Sequence, residues 1–389
     1  MAQFPGSIDK VTIEHIQALI DYAVPESLTL EFKSATYAQT RDDSFELLKD
    51  VSAFSNSSGG WLLIGVAESD GVAAALNPIV GESGDDHSRR LTQILQSSLD
   101  PRAPGIRMRA LNAGDGHILV VRVPPSSIKP HRIIIGNKNR YYLRHSASAI
   151  EASHSELQSM FNQNSSAISF FDDYRHNRAD EIFKRKRLPI KLIEARAYLV
   201  AHVAPVSALY KNAIVDLQSA EQAKHLLQPL SGYAGGVQYN FEGLLSYRGG
   251  EPGQTHGYVQ LNRYGLIEAA VTGIRISYEN NDWLSAKDVQ NAIFGPIKMY
   301  LDLLNACEAS PPTLIGVTIA GSFGARVHLN ETRLARPESV ARIPVEYLML
   351  PNCYIEEYGD GEAYESAMKP ALDALWNAGG RAKWTLLPD

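Results

Sequence analysis

The run Trp61-Leu62-Leu63-Ile64-Gly65-Val66 is nearly all apolar and follows directly on Gly59-Gly60. A strand without polar alternation must be covered on both faces, so this segment predicts a central strand with other elements packed on either side. The residues before it predict a helix. Leu47, Leu48, Val51 and Phe54 recur at helical spacing, and Asp43 followed by Glu46 reads as a capping box. Gly59 or Gly60 supplies the left-handed residue that such a helix end needs. Upstream, Leu28 to Lys33 alternates, which predicts a strand with Leu28, Leu30 and Phe32 inward and Thr29, Glu31 and Lys33 outward.

The neighbouring elements fit an α+β class. Ile13, Ile16, Leu19 and Ile20 mark a short amphipathic helix over residues 10–22. A second helix is expected over 86–98, strands near 106–111 and 117–123, a hairpin over 133–143 with a polar turn, and a closing helix over Ser153–Phe161. Residues 1–162 therefore read as one domain, a mixed sheet with helices. Asn162 to Ser166 reads as a turn, and 163–191 as a basic linker or helix centred on Lys184-Arg185-Lys186-Arg187. Residues 192–389 read as a second α/β domain rich in antiparallel strands. Its segments are 197–203, 243–247 and 257–261 about the loop 248–255, 265–277, a long helix over 285–308, a strand over 313–319 and a last helix over 365–378. Tyr258, Arg263, Tyr264 and Glu268 in that half suggest a sensing, partner-binding or dimerisation role.

A chain of 389 residues suits two domains, and 44% hydrophobic with 21% charged residues is ordinary for a globular protein. No run approaches the length of a membrane span, and Met1 to Ser7 lacks the pattern of a secretory leader. Cys307 and Cys353 have no ligand-like spacing, so a reducing, cytoplasmic setting is expected without a structural zinc site. A net charge of −6 argues against binding along DNA by the whole surface. A local basic interval nevertheless exists: Arg102, Arg107, Arg109, Arg122, Lys129, His131, Arg132, Lys138, Arg140 and Arg144. It reads either as the solvated rim of a sheet or as a phosphate-facing surface.

The chemistry-bearing residues lie around the apolar strand. Glu31 and Lys33 share a face, Glu26 enters from the loop before them, and Glu68 follows the neighbouring strand. Carboxylates gathered this way repel one another and lose hydration, so they call for a cation; oxygen ligands suit Mg²⁺ or Mn²⁺. The plainer alternative is a surface ion pair between Glu31 and Lys33. Gly59-Gly60 ends a helix instead of opening one, the wrong polarity for a phosphate loop. Tyr141 and Tyr142 are adjacent on one strand, so only one can face a nucleic acid.

Glu26-Ser27, then Glu31-Phe32-Lys33, Ala53-Phe54-x-Asn56-x-x-Gly59-Gly60 and Leu62-x-Ile64-Gly65-Val66 together resemble the Schlafen AlbA-like (AlbA_2) domain. Val123-Pro124, Lys129-Pro130-His131 and Tyr141 to Ser148 agree with it, so the resemblance covers residues 10–162. It implies a metal-dependent endoribonuclease acting on tRNA-like RNA, in prokaryotes in anti-phage defence. Glu26, Glu31 and Glu68 would be catalytic and hold Mg²⁺ or Mn²⁺, with Lys33 catalytic beside them. Arg107, Arg109, Lys129, His131, Arg132, Lys138, Arg140, Tyr142 and Arg144 would contact nucleic acid, RNA more readily than DNA. Ala67-Glu68 stands where the family often has Asp-Asp, which bears on catalysis. The alternatives are a non-enzymatic DNA- or RNA-binding transcriptional regulator, and a ligand-sensing subunit without nucleic-acid contact. A homodimer or a partner protein would engage the C-terminal half.

Overall fold

Helix and apolar strand meet at Gly59 and Gly60 in the computed structural model, which describes residues 8–210, 214–230, 232, 234–249, 254–278, 280–329 and 339–386. Gly59 has φ +69°, and a Cβ there would lie 2.6 Å from the Pro125 nitrogen; one on Gly60 would strike the Phe54 ring. Only glycine allows the helix end to press this closely on the sheet. The chain divides into two compact units, Met1–Ser165 and Ser166–Asp389.

In the first unit α1 (Ile13–Asp21) precedes β1 (Leu30–Lys33), α2 (Arg41–Asn56), β2 (Gly60–Ile64), β3 (Val66–Ser69), β4 (Val72–Leu76) and α3 (Gly84–Ser98). Then follow β5 (Leu99–Asp100), β6 (Arg107–Ala113), β7 (Gly116–Val123), β8 (Arg132–Ile135), β9 (Lys138–His145), β10 (Ser148–Glu151) and the start of α4 (His154–Phe183). One sheet runs β1-β2-β7-β6, with β1 parallel to β2 and the remaining pairs antiparallel. A second, antiparallel sheet runs β10-β9-β8-β5, and β3 pairs with β4 apart from both. The class is α+β, with β2 between two neighbours as its composition requires.

Helix α2 buries Leu47, Leu48, Val51 and Phe54 completely, each burial contributing about 2 kcal/mol. Its N-cap is Thr40, whose hydroxyl accepts from the Asp43 amide, so the cap lies three residues before the expected one. Two further expectations change. Leu28 precedes the strand and is 39% exposed, whereas Glu31, expected outward, is 7% exposed because elements cover that face too. The expected turn at 162–166 is instead helix, since α4 runs unbroken from His154 to Phe183.

The second unit is built on an antiparallel sheet ordered β12-β13-β14-β15-β11-β18-β20, with β21 also on β18. The strands are β11 (Tyr198–Pro205), β12 (Gly236–Tyr239), β13 (Gly243–Tyr247), β14 (Gly257–Asn262), β15 (Ile267–Thr272), β18 (Thr313–Ala320), β20 (Tyr347–Met349) and β21 (Cys353–Ile355). A smaller sheet joins β16 (Arg275–Tyr278), β17 (Asn281–Ser285) and β19 (Arg326–His328). Of the expected loop 248–255, residues 250–253 lie outside the described residues. Short helices α5 (Val206–Leu209) and α6 (Leu217–Gln222) precede α7 (Ala286–Ala292), α8 (Lys298–Ala306) and α9 (Gly361–Ala378). The long helix expected over 285–308 is broken: Gly295 leaves helical geometry before Pro296, which has no N–H to continue the ladder.

The second half of α4 covers one sheet face with Phe171 and Ile182, and between them stand Arg175, buried, and Arg178, half-buried. Arg175 is not the exposed basic residue that the sequence suggests; it donates to the Leu350 carbonyl at 2.6 Å and to Asn352. Arg178 makes a two-point contact to Glu268, at 2.7 and 2.8 Å. Glu268 also accepts from the Tyr258 hydroxyl at 2.8 Å and contacts His202 at 3.2 Å. Burial pushes the Glu268 carboxyl up, but the Arg178 and His202 contacts overcome it and hold it well below the usual carboxylate range. A carboxyl lowered in this way contributes stability that is full above its ordinary value near 4.5 and lost as pH falls below it. Glu268→Gln should therefore cost about 1.5–3 kcal/mol at neutral pH, because Arg178 loses its two charged hydrogen bonds to Glu268 and keeps its pair with Glu181. Urea unfolding at pH 7 and pH 4 checks this, and the gap between variant and wild type should narrow at the lower pH.

Candidate nucleic-acid interface and acid cluster

Strand β1 delivers Glu31 and Lys33 to the side on which α2 and β9 pack. Lys33 Nζ lies 2.5 Å from Glu31 Oε1 and 3.3 Å from Asp50 Oδ2. Arg144 Nη2 lies 2.5 Å from Glu31 Oε2, with 1% of the arginine side chain exposed. That second contact is an ion pair and not an aligned hydrogen bond, since Oε2 has no partner of proper hydrogen-bond geometry. The attraction of opposite charges needs no such alignment. The guanidinium donates to the Ser27 carbonyl at 3.0 and 3.1 Å and to the Leu30 carbonyl at 3.2 Å. It also lies 4.4 Å from the centre of the Phe54 ring. The Tyr37 hydroxyl donates to Asp50 at 2.8 Å, and burial among these acids keeps its proton on far above its usual pKa.

Glu26 is half-buried, and its Oε1 accepts the Phe32 amide at 2.9 Å. Burial raises its pKa, and the negative charges of Glu31 and Glu68 raise it further. Glu68 itself is exposed on β3, outside the sheet that carries Glu31. For Lys33 burial acts to lower the pKa, but Asp50 and Glu31 outweigh it and the net shift is upward.

The three glutamates thus feel one another without converging as a ligand set. Glu31, the central member, has one oxygen on an ammonium and the other against a guanidinium. Among the described residues, no group of three or more His, Cys, Asp and Glu side chains is gathered as metal ligands. The donor set as it stands does not fit Mg²⁺ or Mn²⁺, which needs carboxylate oxygens free to ligate. The sequence reading missed Asp50 and Tyr37. Asp50 had a signal: it lies three residues after Leu47 and four before Phe54, so a charge sits on the buried stripe of α2.

Eight of the ten residues of the basic interval separate into three groups. Arg144, His131 and Lys129 face inward. Arg144 is taken up by the acid cluster. His131 is fully buried and its Nδ1 contacts the Pro101 carbonyl at 2.7 Å, so it cannot touch phosphate as expected. Lys129 is half-buried, and burial lowers its pKa. Arg109 spends its guanidinium on the backbone carbonyls of Ile8, Asp9 and Val11, which ties down the chain before α1. The exposed group is Arg107, paired with Asp9 at 2.9 Å, Arg132 with Asp100 at 2.8 Å, Lys138 with Asp42 at 3.7 Å, and Arg140 with Glu151 at 2.5 Å. Of the two tyrosines, both half-buried, Tyr142 turns toward α2, its ring edge-on to Phe45 at 6.0 Å. Tyr141 lies on the opposite face beside Phe161. Asn56, at the end of α2, binds the hairpin: it donates to the His131 and Tyr142 carbonyls and accepts from the His131 amide.

Histidine burial has a measurable consequence. His131 and His87 are both fully buried, and burial pulls both down to about 4. The His131 Nε2 has no partner, so protonation there would strand a cation in the interior. A histidine lowered in this way favours folding above its ordinary value near 6.5, and that preference is lost as pH falls toward 4. Thermal unfolding followed from pH 7 to pH 4 should show a steady loss of midpoint. His131→Gln should flatten that slope by an amount equivalent to about 2–3 kcal/mol over the interval.

The Schlafen, AlbA_2 family description matches residues 26–153, the segment that contains the acid cluster and the hairpin. No curated protein matches the chain. Among solved structures, the DIP2311 protein from Corynebacterium diphtheriae is similar at 14% identity with a TM-score of 0.27. That match covers 38% of this chain and 27% of the other, so this chain spans about a quarter of that protein's length.

Proposed function

Because the N-terminal region carries a Schlafen, AlbA_2 domain over residues 26–153, we propose that the first unit binds nucleic acid, with RNA preferred to DNA. The observation that supports it most is the state of the cations along the β8–β9 hairpin. Arg132, Lys138 and Arg140 are each 37–52% exposed and pair with carboxylates that are themselves exposed, Lys138 also lying 4.0 Å from the centre of the Phe45 ring. Such pairs are worth about 0–1 kcal/mol, so a phosphate can take the carboxylate's place at little cost. The overall charge of −6 confines the contact to this local surface. On this reading the unit is a binding module, and Arg107 extends the surface at the far edge of the first sheet.

The second reading is divalent-metal-dependent cleavage of tRNA-like RNA, the activity implied by the resemblance. Its support is the action of Glu31 and Glu68 on Glu26, whose pKa burial raises and their charges raise further. It requires Glu31 to give up at least one of its present cationic partners. One experiment separates the two readings: labelled total tRNA incubated with purified protein, with Mn²⁺ or with EDTA, for wild type and Glu31→Gln. Cutting that needs metal and is abolished in Glu31→Gln would install the second reading. Binding without cutting would leave the first.

For the binding reading, Arg132→Gln, Lys138→Gln and Arg140→Gln combined should weaken single-stranded RNA binding by about tenfold or more. The slope of log K against log salt should become shallower by about 2, at roughly 0.7 per lost contact. Fluorescence anisotropy over a salt series reads both quantities, while stability should change little because the pairs are exposed. An unchanged slope would remove the hairpin from the interface.

A further inference from the structure

The acid cluster carries its own cation. Arg144 reaches Glu31 from β9, in the second sheet, and its guanidinium is closed in on every side. Ser27 and Leu30 carbonyls accept its donors, the Phe54 ring covers one face, and Glu31 Oε2 lies 2.5 Å away. The Arg144 amide is also fixed, donating to Ser57 Oγ at 2.8 Å. Lys33 adds a second positive charge on Oε1, shared with Asp50. Two carboxylates, Glu31 and Asp50, are therefore balanced by two cations, Lys33 and Arg144, all within contact. A divalent ion brought to Glu31 would meet the repulsion of both cations and would have to displace at least one. Displacing Arg144 would leave a guanidinium unpaired in a site from which water is excluded.

We propose that Arg144 is the resident counter-ion of this acid cluster, occupying the role that the resemblance gives to a divalent metal, so that in this chain the cluster is a metal-independent strut. The strut joins β1, α2 and β9, and hence the two sheets of the unit. Its cation is part of the chain and is always present. The proposal concerns the state of Glu31 and stands whether or not the hairpin binds RNA; one consequence, that EDTA leaves RNA affinity unchanged, rests on the binding reading.

The test is direct Mn²⁺ binding by the full chain, followed by calorimetric titration and by the thermal midpoint at about 5 mM Mn²⁺. Wild type should show no Mn²⁺ site that depends on Glu31, and its midpoint should shift by less than about 1 °C. Arg144→Met frees Glu31 of its buried counter-ion. It should lower the midpoint by several degrees, and Mn²⁺ should then raise it by about 3 °C or more. Adding Glu31→Gln to that variant should abolish the Mn²⁺ response. Lys33→Met, at a position partly open to solvent, supplies the same comparison if Arg144→Met does not fold, with a smaller gain expected. Sub-millimolar Mn²⁺ binding by wild type that disappears in Glu31→Gln would overturn the proposal. So would a complete lack of Mn²⁺ response in both cation-removing variants, since Glu31 would then not be waiting on a cation at all. RNA binding measured on the same samples with EDTA keeps the two readings apart: its absence removes the binding reading and leaves the metal result intact.

Discussion

The first unit depends on a buried exchange of charge in which Glu31 and Asp50 face Lys33 and Arg144. Placing Glu31, Asp50 and Arg144 in a protein interior, with Lys33 at its margin, is unfavourable in itself, and a well-packed apolar set would often be as stable. What the charges add is selectivity of arrangement. Glu31 belongs to β1, Asp50 to the next element α2, and Arg144 to β9 much further along the chain, and all three meet only if the fold is correct. Any slip of β1 by one residue would turn Glu31 to the opposite face and leave Arg144 uncompensated. The arrangement also explains why α2 ends against the sheet at two glycines. Phe54 has to lie close enough to cover the guanidinium, and a side chain at Gly60 would push its ring away.

Charge burial also accounts for what was and was not legible in the sequence. The α2–Gly-Gly–β2 passage was legible because apolar periodicity and glycine punctuation both report on packing, and packing decides those elements. The outward assignment of Glu31 failed for a definite reason. Alternation identifies a polar side of a strand, but it cannot tell a side facing water from one facing a buried counter-charge. The information lay at Asp50, a charge on the inner stripe of α2, and it would have marked that face as an interior one. Arg175 and Arg178 present the same case. They fall between Phe171 and Ile182 at helical spacing, so the helix face that looked basic is the face that packs. A composition count reads such residues as a basic tract; their spacing relative to the apolar stripe reads them as interior.

The candidate nucleic-acid surface separated along the same line. Of the cations grouped by sequence proximity, those beside apolar neighbours turned inward, and those near the hairpin turn stayed in water. Position along the strand decides this: Lys138, Arg140, Tyr142 and Arg144 share one face of β9, and Arg144 is closed in whereas Lys138, over Phe45 of α2, and Arg140 stay about half exposed toward the turn. Clustering in sequence therefore overstated the surface, and the register of one hairpin defines what remains of it.

Both units solve the same electrostatic problem in the same way, by aiming an arginine into a carboxylate that a sheet has buried. In the first unit the carboxylate is Glu31 and the arginine comes from a strand; in the second it is Glu268, and Arg178 comes from a helix. Arginine suits this task because its charge cannot be lost by deprotonation and its planar donors can satisfy carbonyls and a carboxylate at once. The consequence differs between the units because their acids have different company. Glu268 has Tyr258 and His202 to complete its hydrogen bonds and shares Arg178 with Glu181. Glu31 lies in the field of Glu26 and Glu68, a grouping that elsewhere would call for a metal ion. Whether such a grouping acts chemically depends on which cation answers it. A guanidinium fixed by two carbonyls and an aromatic ring neutralises the acids but activates no water, so the geometry that stabilises this unit is also the geometry that restrains its chemistry.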